Sequence, residues 1–203
     1  MRYSEDIDLV QIEPAPIGPT LDALRSCLDS WLGEPTRKRS TGTVTLAYRV
    51  PSEDAPPLTI RLKIEINTRE HFTAFGLLHR EYAVKSRWFT GAATVATYHL
   101  DELLGTKLRA LYQRRKGRDL FDLWHAGTAA TVDPDRVVNA FAMYLAHQDV
   151  TIRRADFAAN LAAKLSDQTF LRDMQPLLAA AGIWDPHEAA DYVERQFLSR
   201  LPS

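Results

Sequence analysis

The chain has 203 residues, 45% of them hydrophobic and 25% charged, with a formal net charge of −1. That length can bury a sizeable core in one large domain or two small ones, and the near-neutral charge leaves any polyanion preference to local patches. A single cysteine, Cys27, excludes an internal disulfide framework and fits a reducing cytoplasm, and neither a signal-peptide core nor an apolar run of membrane-spanning length is present.

The first readable stretch, residues 3–10, places Asp6 and Asp8 on either side of Ile7. On a strand, side chains two apart share a face, with their Cβ atoms roughly 6.5–7 Å apart. Two carboxylates so placed repel unless a cation sits between them, and a hard divalent ion with oxygen ligands is one solution. The loop at 11–19 carries Pro14, Pro16, Gly18 and Pro19. Thr20 then reads as the cap of a helix to Leu32, with Leu21, Leu24, Leu28 and Trp31 on one stripe and Cys27 as a small buried filler at its edge.

Residues 41–50, rich in Thr, Val and Tyr, read as a strand. Residues 58–67 alternate cleanly, with Ile60, Leu62, Ile64 and Ile66 on one face and Arg61, Lys63 and Glu65 on the other. Glu65 reads either as a solvated residue beside cations or as a third carboxylate joining Asp6 and Asp8. Residues 69–88 are mixed, and 92–98 form a short strand.

The segment 100–113 is strongly helical, with Leu100, Leu104, Leu108 and Leu111 in a stripe. Lys107 falls on the packed side of that helix, so it either snorkels to water or aims at an anionic ligand. Arg114, Arg115, Lys116 and Arg118 crowd around Gly117, as a basic helix end or as an edge that binds phosphate or RNA. Asp119 reads as the N-cap of a helix over 120–126, with Asp122 in its first turn, or either acid as the partner of a neighbouring arginine. Helices follow at 134–145 behind Asp133-Pro134, at 156–165, at 169–181 with a break near Pro176, and from Asp185-Pro186 to Leu201. Phe170, Trp184 and Phe197 read as core, His147 and His187 as surface.

Three motifs together, YSEDIDLV at 3–10, KIEIN at 63–67 and ELLGTKLRALYQRRKGRDLFDLW at 102–124, resemble the AbiEii-type nucleotidyltransferase toxins of type IV toxin–antitoxin and abortive-infection systems. The resemblance runs over nearly the whole chain. It implies an α+β fold, with a nucleotidyltransferase-like core of small mixed sheet and helices at 1–99 and a helical region at 100–203. Asp6 and Asp8 match the family's metal-binding pair, and Glu65 falls at its third carboxylate. Lys107 matches the lysine expected on the nucleotide's phosphates, with Ser4 beside it in nucleotide binding, and Asp119 and Asp122 match the RD-x-x-D signature. Two Mg2+ ions would then bridge an NTP's triphosphate, with Arg114, Arg115, Lys116 and Arg118 docking an RNA acceptor such as tRNA.

The family carries a Gly-Ser or Gly-Gly segment before the acidic pair, whose backbone N–H groups cradle phosphates, and this chain begins after that point. The resemblance therefore also admits a non-catalytic relative that binds RNA, nucleotide or a partner without turnover, and a kinase-like phosphoryl transfer on the same scaffold. A winged-helix antitoxin encoded alongside is the implied partner. A sheet edge left exposed near the N-terminus would invite homodimerisation.

Overall fold

The computed structural model describes residues 6–53, 55–87, 89–178 and 184–203. The chain divides into two compact units, Tyr3–Phe72 and Thr73–Ser203. Residues 73–99 thus fall in the same compact unit as the helices that follow them.

In the first unit, β1 (Asp6–Val10), β2 (Thr36–Ser40), β3 (Thr43–Pro51) and β4 (Thr59–Asn67) form a sheet in the order β1-β4-β3-β2. β1 runs parallel to β4, while β3 is antiparallel to both β4 and β2. The alternation of β3 and β4 decides which face is covered: Val44, Leu46, Tyr48, Ile64 and Ile66 are buried against Leu21 and Leu32 of α1 (Gly18–Leu32). Each such side chain contributes about 1.5–3 kcal/mol by leaving water. Tyr48 also donates its hydroxyl to Asp29 Oδ1 at 3.0 Å, anchoring helix to sheet.

Several details differ from the sequence reading. α1 begins at Gly18, its cap position is Ile17, and Thr20 lies inside it with no side-chain cap bond. The stripe ends on Leu32, four residues after Leu28, so Trp31 turns outward, 67% exposed, and donates its indole N–H to the Cys27 carbonyl. Cys27 is exposed, not buried filler. Ile60, outside the patch that α1 covers, is half exposed. β2 went unforeseen: all of Thr36–Ser40 is exposed, so no apolar period marks it. It reaches β3 through the two-residue turn Thr41-Gly42, where Gly42 takes φ 74°, open to glycine at no steric cost.

In the second unit, β5 (Leu77–Lys85) and β6 (Thr90–Tyr98) form an antiparallel hairpin. β5 lay in the stretch read as mixed; most of its residues are exposed, which erases the two-residue period. After the hairpin come α2 (Leu100–Gln113), α3 (Gly117–Ala129), α4 (Pro134–Ala146), α5 (Arg154–Leu165), α6 (Gln168–Arg172) and α7 (Pro186–Gln196), with single 3-10 turns at Gln175–Leu177 and Leu198–Arg200. Leu108, Leu111, Leu120, Leu123, Phe157 and Phe197 lie at the centre of their core. Gly105 lets α2 and α4 cross closely: a Cβ there would sit 2.6 Å from the Ala140 Cβ.

Asp133 and Asp185 cap α4 and α7 as expected, each accepting from two backbone N–H groups behind a first-turn proline. α3 starts at Gly117, two residues before the expected cap, so Asp119 lies within its first turn. The last helix stops at Gln196 rather than Leu201. Phe170 and Phe197 are buried, Trp184 packs against the core, and His147 and His187 are exposed. The expected 169–181 helix is α6 plus the 3-10 turn at Pro176, and its end lies outside the described residues. No helix among the described residues is long and apolar enough to cross a membrane.

Candidate active site

The acidic pair and Glu65 meet through strand register. β1 pairs with β4 as Asp6 to Lys63, Ile7 to Ile64 and Asp8 to Glu65. Residues in register on adjoining strands share a face, about 4.8 Å apart at the backbone. Asp6, Asp8, Lys63 and Glu65 therefore project together from one side of the sheet, while Ile64 and Ile66 enter the core on the other. The row continues onto β3, where Thr45 lies beside Glu65 and Ala47 beside Lys63. At the end of this face Arg49 stands directly across from Arg61, both exposed. Two cations so placed repel and concentrate positive potential there.

Lys63 is the residue whose role the strand pattern did not reveal. Its Nζ lies 3.1 Å from Asp6 Oδ2 and 2.9 Å from Glu65 Oε1, with all three side chains partly open to water. The hydrogen bond it donates to Glu65 holds the lysine above its ordinary range, against burial, with Asp6 adding to the effect. The cation between the carboxylates is thus an ammonium supplied by the chain itself. Among the described residues no three acidic, histidine or cysteine side chains are grouped to hold a metal. Asp6, Asp8 and Glu65 are oxygen donors of the kind a hard divalent ion takes, but Lys63 stands among them, and an ion there would have to take its place. Ser4 lies outside the described residues.

The second unit holds another acid–cation cluster, across α2 and α3. Lys107 Nζ lies 3.1 Å from Asp122 Oδ2 and 3.7 Å from Asp119 Oδ1. Asp119 is fully buried and accepts a fork of two hydrogen bonds from Arg114, at 2.7 Å from Nε and 2.6 Å from Nη2. Such bidentate pairs are strong and geometrically selective. Its place in the first turn of α3 also sets the carboxylate at the positive end of the helix. Lys107 thus stays partly open to water while two acids hold its head.

The basic cluster divides in the same way. Arg114 is committed to Asp119; Lys116 and Arg118 pair with Asp173 at 3.5 and 3.4 Å; Arg115 reaches Asp167 at 3.4 Å with 71% of its side chain exposed. Asp173 also accepts from the Arg118 backbone N–H at 3.2 Å, doing from outside the helix what an N-cap would do.

Two further buried charges support this region. Glu102 accepts from Thr73 Oγ1, the Ala74 and Phe75 N–H groups and the Tyr144 hydroxyl, tying residues 73–75 to α2 and α4. Lys164, 3% exposed, donates to the Leu111 and Tyr112 carbonyls at the end of α2. Burial pushes its ammonium down to about 8, partly opposed by Asp119 and reinforced by Arg115. Its spacing from Phe157 and Leu161, on the buried stripe of α5, was the available signal.

Among curated proteins none matches this chain. A solved structure does: MenT4, a nucleotidyltransferase toxin from Mycobacterium tuberculosis H37Rv, aligns over 100% of this chain and 70% of its own at 16% identity, with a TM-score of 0.61. At that identity the likeness carries the α+β fold alone. The family model described as the nucleotidyl transferase AbiEii toxin of the type IV toxin–antitoxin system matches residues 1–193. The chain belongs to the AbiEii nucleotidyltransferase toxin family.

Proposed function

We propose that the chain transfers a nucleotide from an NTP to an RNA acceptor, the acceptor end of tRNA, in the cytoplasm. In that reaction an RNA hydroxyl oxygen bonds to the α-phosphorus and gives up its proton to solvent, the bond to the α–β bridging oxygen breaks, and that oxygen leaves with pyrophosphate. The observation that carries the reading is the register of β1 on β4, which sets Asp8 beside Glu65 with Asp6 on the same face.

Asp6, Asp8 and Glu65 are the residues to hold Mg2+, which when bound supplies Lewis-acid charge against the triphosphate. Lys107 adds positive charge for the nucleotide's phosphates, with Asp122 and Asp119 orienting its head. Of the basic cluster, Arg115 has the exposure to meet an RNA phosphate, Lys116 less so, while Arg114 and Arg118 are tied to carboxylates. The matching antitoxin is a winged-helix protein encoded alongside. β1, an edge strand with Ile7 and Leu9 exposed, is the edge through which a second copy would pair; a monodisperse monomer in light scattering at high concentration counts against that dimer.

One observation favours a second reading, a relative that binds RNA, nucleotide or a partner without turnover: Lys63 already neutralises Asp6 and Glu65. Incubating the purified chain with total tRNA, Mg2+ and each labelled NTP separates the two. Label incorporated by the wild type and lost in Asp8→Ala supports transfer. No label and no Mg2+-dependent NTP binding leaves the binding-only reading.

A further inference from the structure

We infer that Lys63 is a built-in counter-ion of the carboxylate face, one that a divalent ion displaces on binding. The inference rests on reading Asp6, Asp8 and Glu65 as the ion's ligands, and it adds a residue to that site that opposes loading rather than assisting it.

The geometry carries it in three steps. First, the register sets three carboxylates on one face of two adjoining strands, where like charges repel and a cation among them is favoured, and Lys63 supplies that cation to two of the three. Second, the Lys63 ammonium lies within hydrogen-bonding distance of Asp6 and Glu65, so it and an ion held by those oxygens exclude one another. Third, the lysine can leave. Its side chain is 25% exposed, those of Asp6 and Glu65 are 27% and 38% exposed, and its neighbour on β3 is the small Ala47. A flexible four-carbon stem with a single charged head can swing off without a backbone change, which a guanidinium locked in a two-bond fork cannot do as readily. The ammonium thus keeps the face neutralised until a divalent ion, with twice the charge and several oxygen ligands, outcompetes it.

The test is Mn2+ binding to the whole chain by isothermal titration calorimetry, which needs no catalysis. The proteins are the wild type, Lys63→Met, which keeps the apolar stem, and Lys63→Arg, which keeps the charge; Asp8→Asn controls for the site. Lys63→Met should bind Mn2+ roughly tenfold tighter, since one competing charge at contact distance in a partly wet site corresponds to an effect of at least that order. Lys63→Arg should bind no tighter than wild type. In thermal melts with EDTA, Lys63→Met should unfold below wild type and regain the difference when Mn2+ is added.

Saturable binding of equal affinity in wild type and Lys63→Met overturns the inference and leaves the ligand assignment standing. Tightening by Lys63→Arg as large as that by Lys63→Met also overturns it, because charge is then not the cause. No saturable Mn2+ binding in any of the proteins overturns both the inference and the reading of the three carboxylates.

Discussion

The two units each hold a lysine between two carboxylates, yet water treats them differently. On the β1–β4 face all three side chains of the Asp6–Lys63–Glu65 group are partly wet, and the lysine is the cation common to both acids. Between α2 and α3, Asp119 has no exposure and keeps two hydrogen bonds from Arg114 whether or not Lys107 stays. An accessible cluster can exchange its cation for a ligand; a buried acid held by a second cation is framework that fixes where the partly exposed Lys107 points. The sheet face is therefore the place for exchangeable chemistry, and the helical cluster is the mounting for Lys107.

The largest effect should follow from removing the buried acid. Asp119→Ala takes away the carboxylate that Arg114 and Lys107 share; both cations reach water, so the loss is that of hydrogen bonds to a charged group, about 1.5–3 kcal/mol. Urea unfolding should show that loss, whereas Asp8→Ala on the sheet face should leave the midpoint near wild type while abolishing nucleotide transfer. Equal stability losses in both variants would erase the distinction between framework and exchangeable site.

How far this contrast was legible in the sequence depends on burial. β4 and α2 announced themselves because each buries one face: Leu62, Ile64 and Ile66 alternate, and Leu104, Leu108 and Leu111 recur at helical spacing. β2 and most of β5 are exposed, so no period marks them, although the Thr41-Gly42 turn was readable. The acids Asp6, Asp8 and Glu65 were visible as residues, but their meeting depends on a parallel register that pairs strands more than 50 positions apart. Lys63 looked like one more polar-face residue because its role arises only from that register. Asp119 resembled a cap because an acid before an apolar run usually is one; the fork from Arg114, five residues earlier, draws it inward.

The units should also separate by pH, with opposite signs. Lys164 titrates near 8 in the folded chain and near 10.5 when unfolded, so between those values the unfolded chain holds the extra proton and stability rises with pH. Burial, with the Asp29 hydrogen bond adding to it, pushes the Tyr48 hydroxyl up to about 12 from 10.0, so above 10 the folded chain keeps a proton the unfolded one loses, and stability falls. Neither slope exceeds roughly 1.4 kcal/mol per pH unit, one proton's worth. Chemical unfolding from pH 7.5 to 11 should lose the rising limb in Lys164→Met and flatten the falling one in Tyr48→Phe. A rising limb unchanged in Lys164→Met would show that another group carries it.

Lys107→Met gives a smaller effect that sharpens the framework reading. Asp119 keeps Arg114, and Asp122 is partly exposed, so the variant should lose only about 1 kcal/mol in urea unfolding, the net of a typical polar contact. Nucleotide transfer should fall far more than stability does. A loss comparable to that of Asp119→Ala would make Lys107 a structural member of the cluster.

The smallest effect on stability separates two adjacent arginines. Arg115 is mostly in water and its pair with Asp167 lies at the surface, where such pairs add little. Arg115→Ala should therefore melt with wild type. Its affinity for tRNA should nevertheless fall, and the slope of log affinity against log salt should shrink by about one, the signature of one lost phosphate contact. Arg114→Ala should do the reverse, since its guanidinium belongs to Asp119: stability falls as a buried carboxylate loses both its hydrogen bonds and keeps only the longer contact to Lys107, and at temperatures where the variant stays folded the salt slope is unchanged. Fluorescence anisotropy with labelled tRNA across a salt series, run beside the melts, reads both quantities. An unchanged salt slope in Arg115→Ala would remove the basic turn from the RNA-binding surface and leave its charges to the helix ends they pair with.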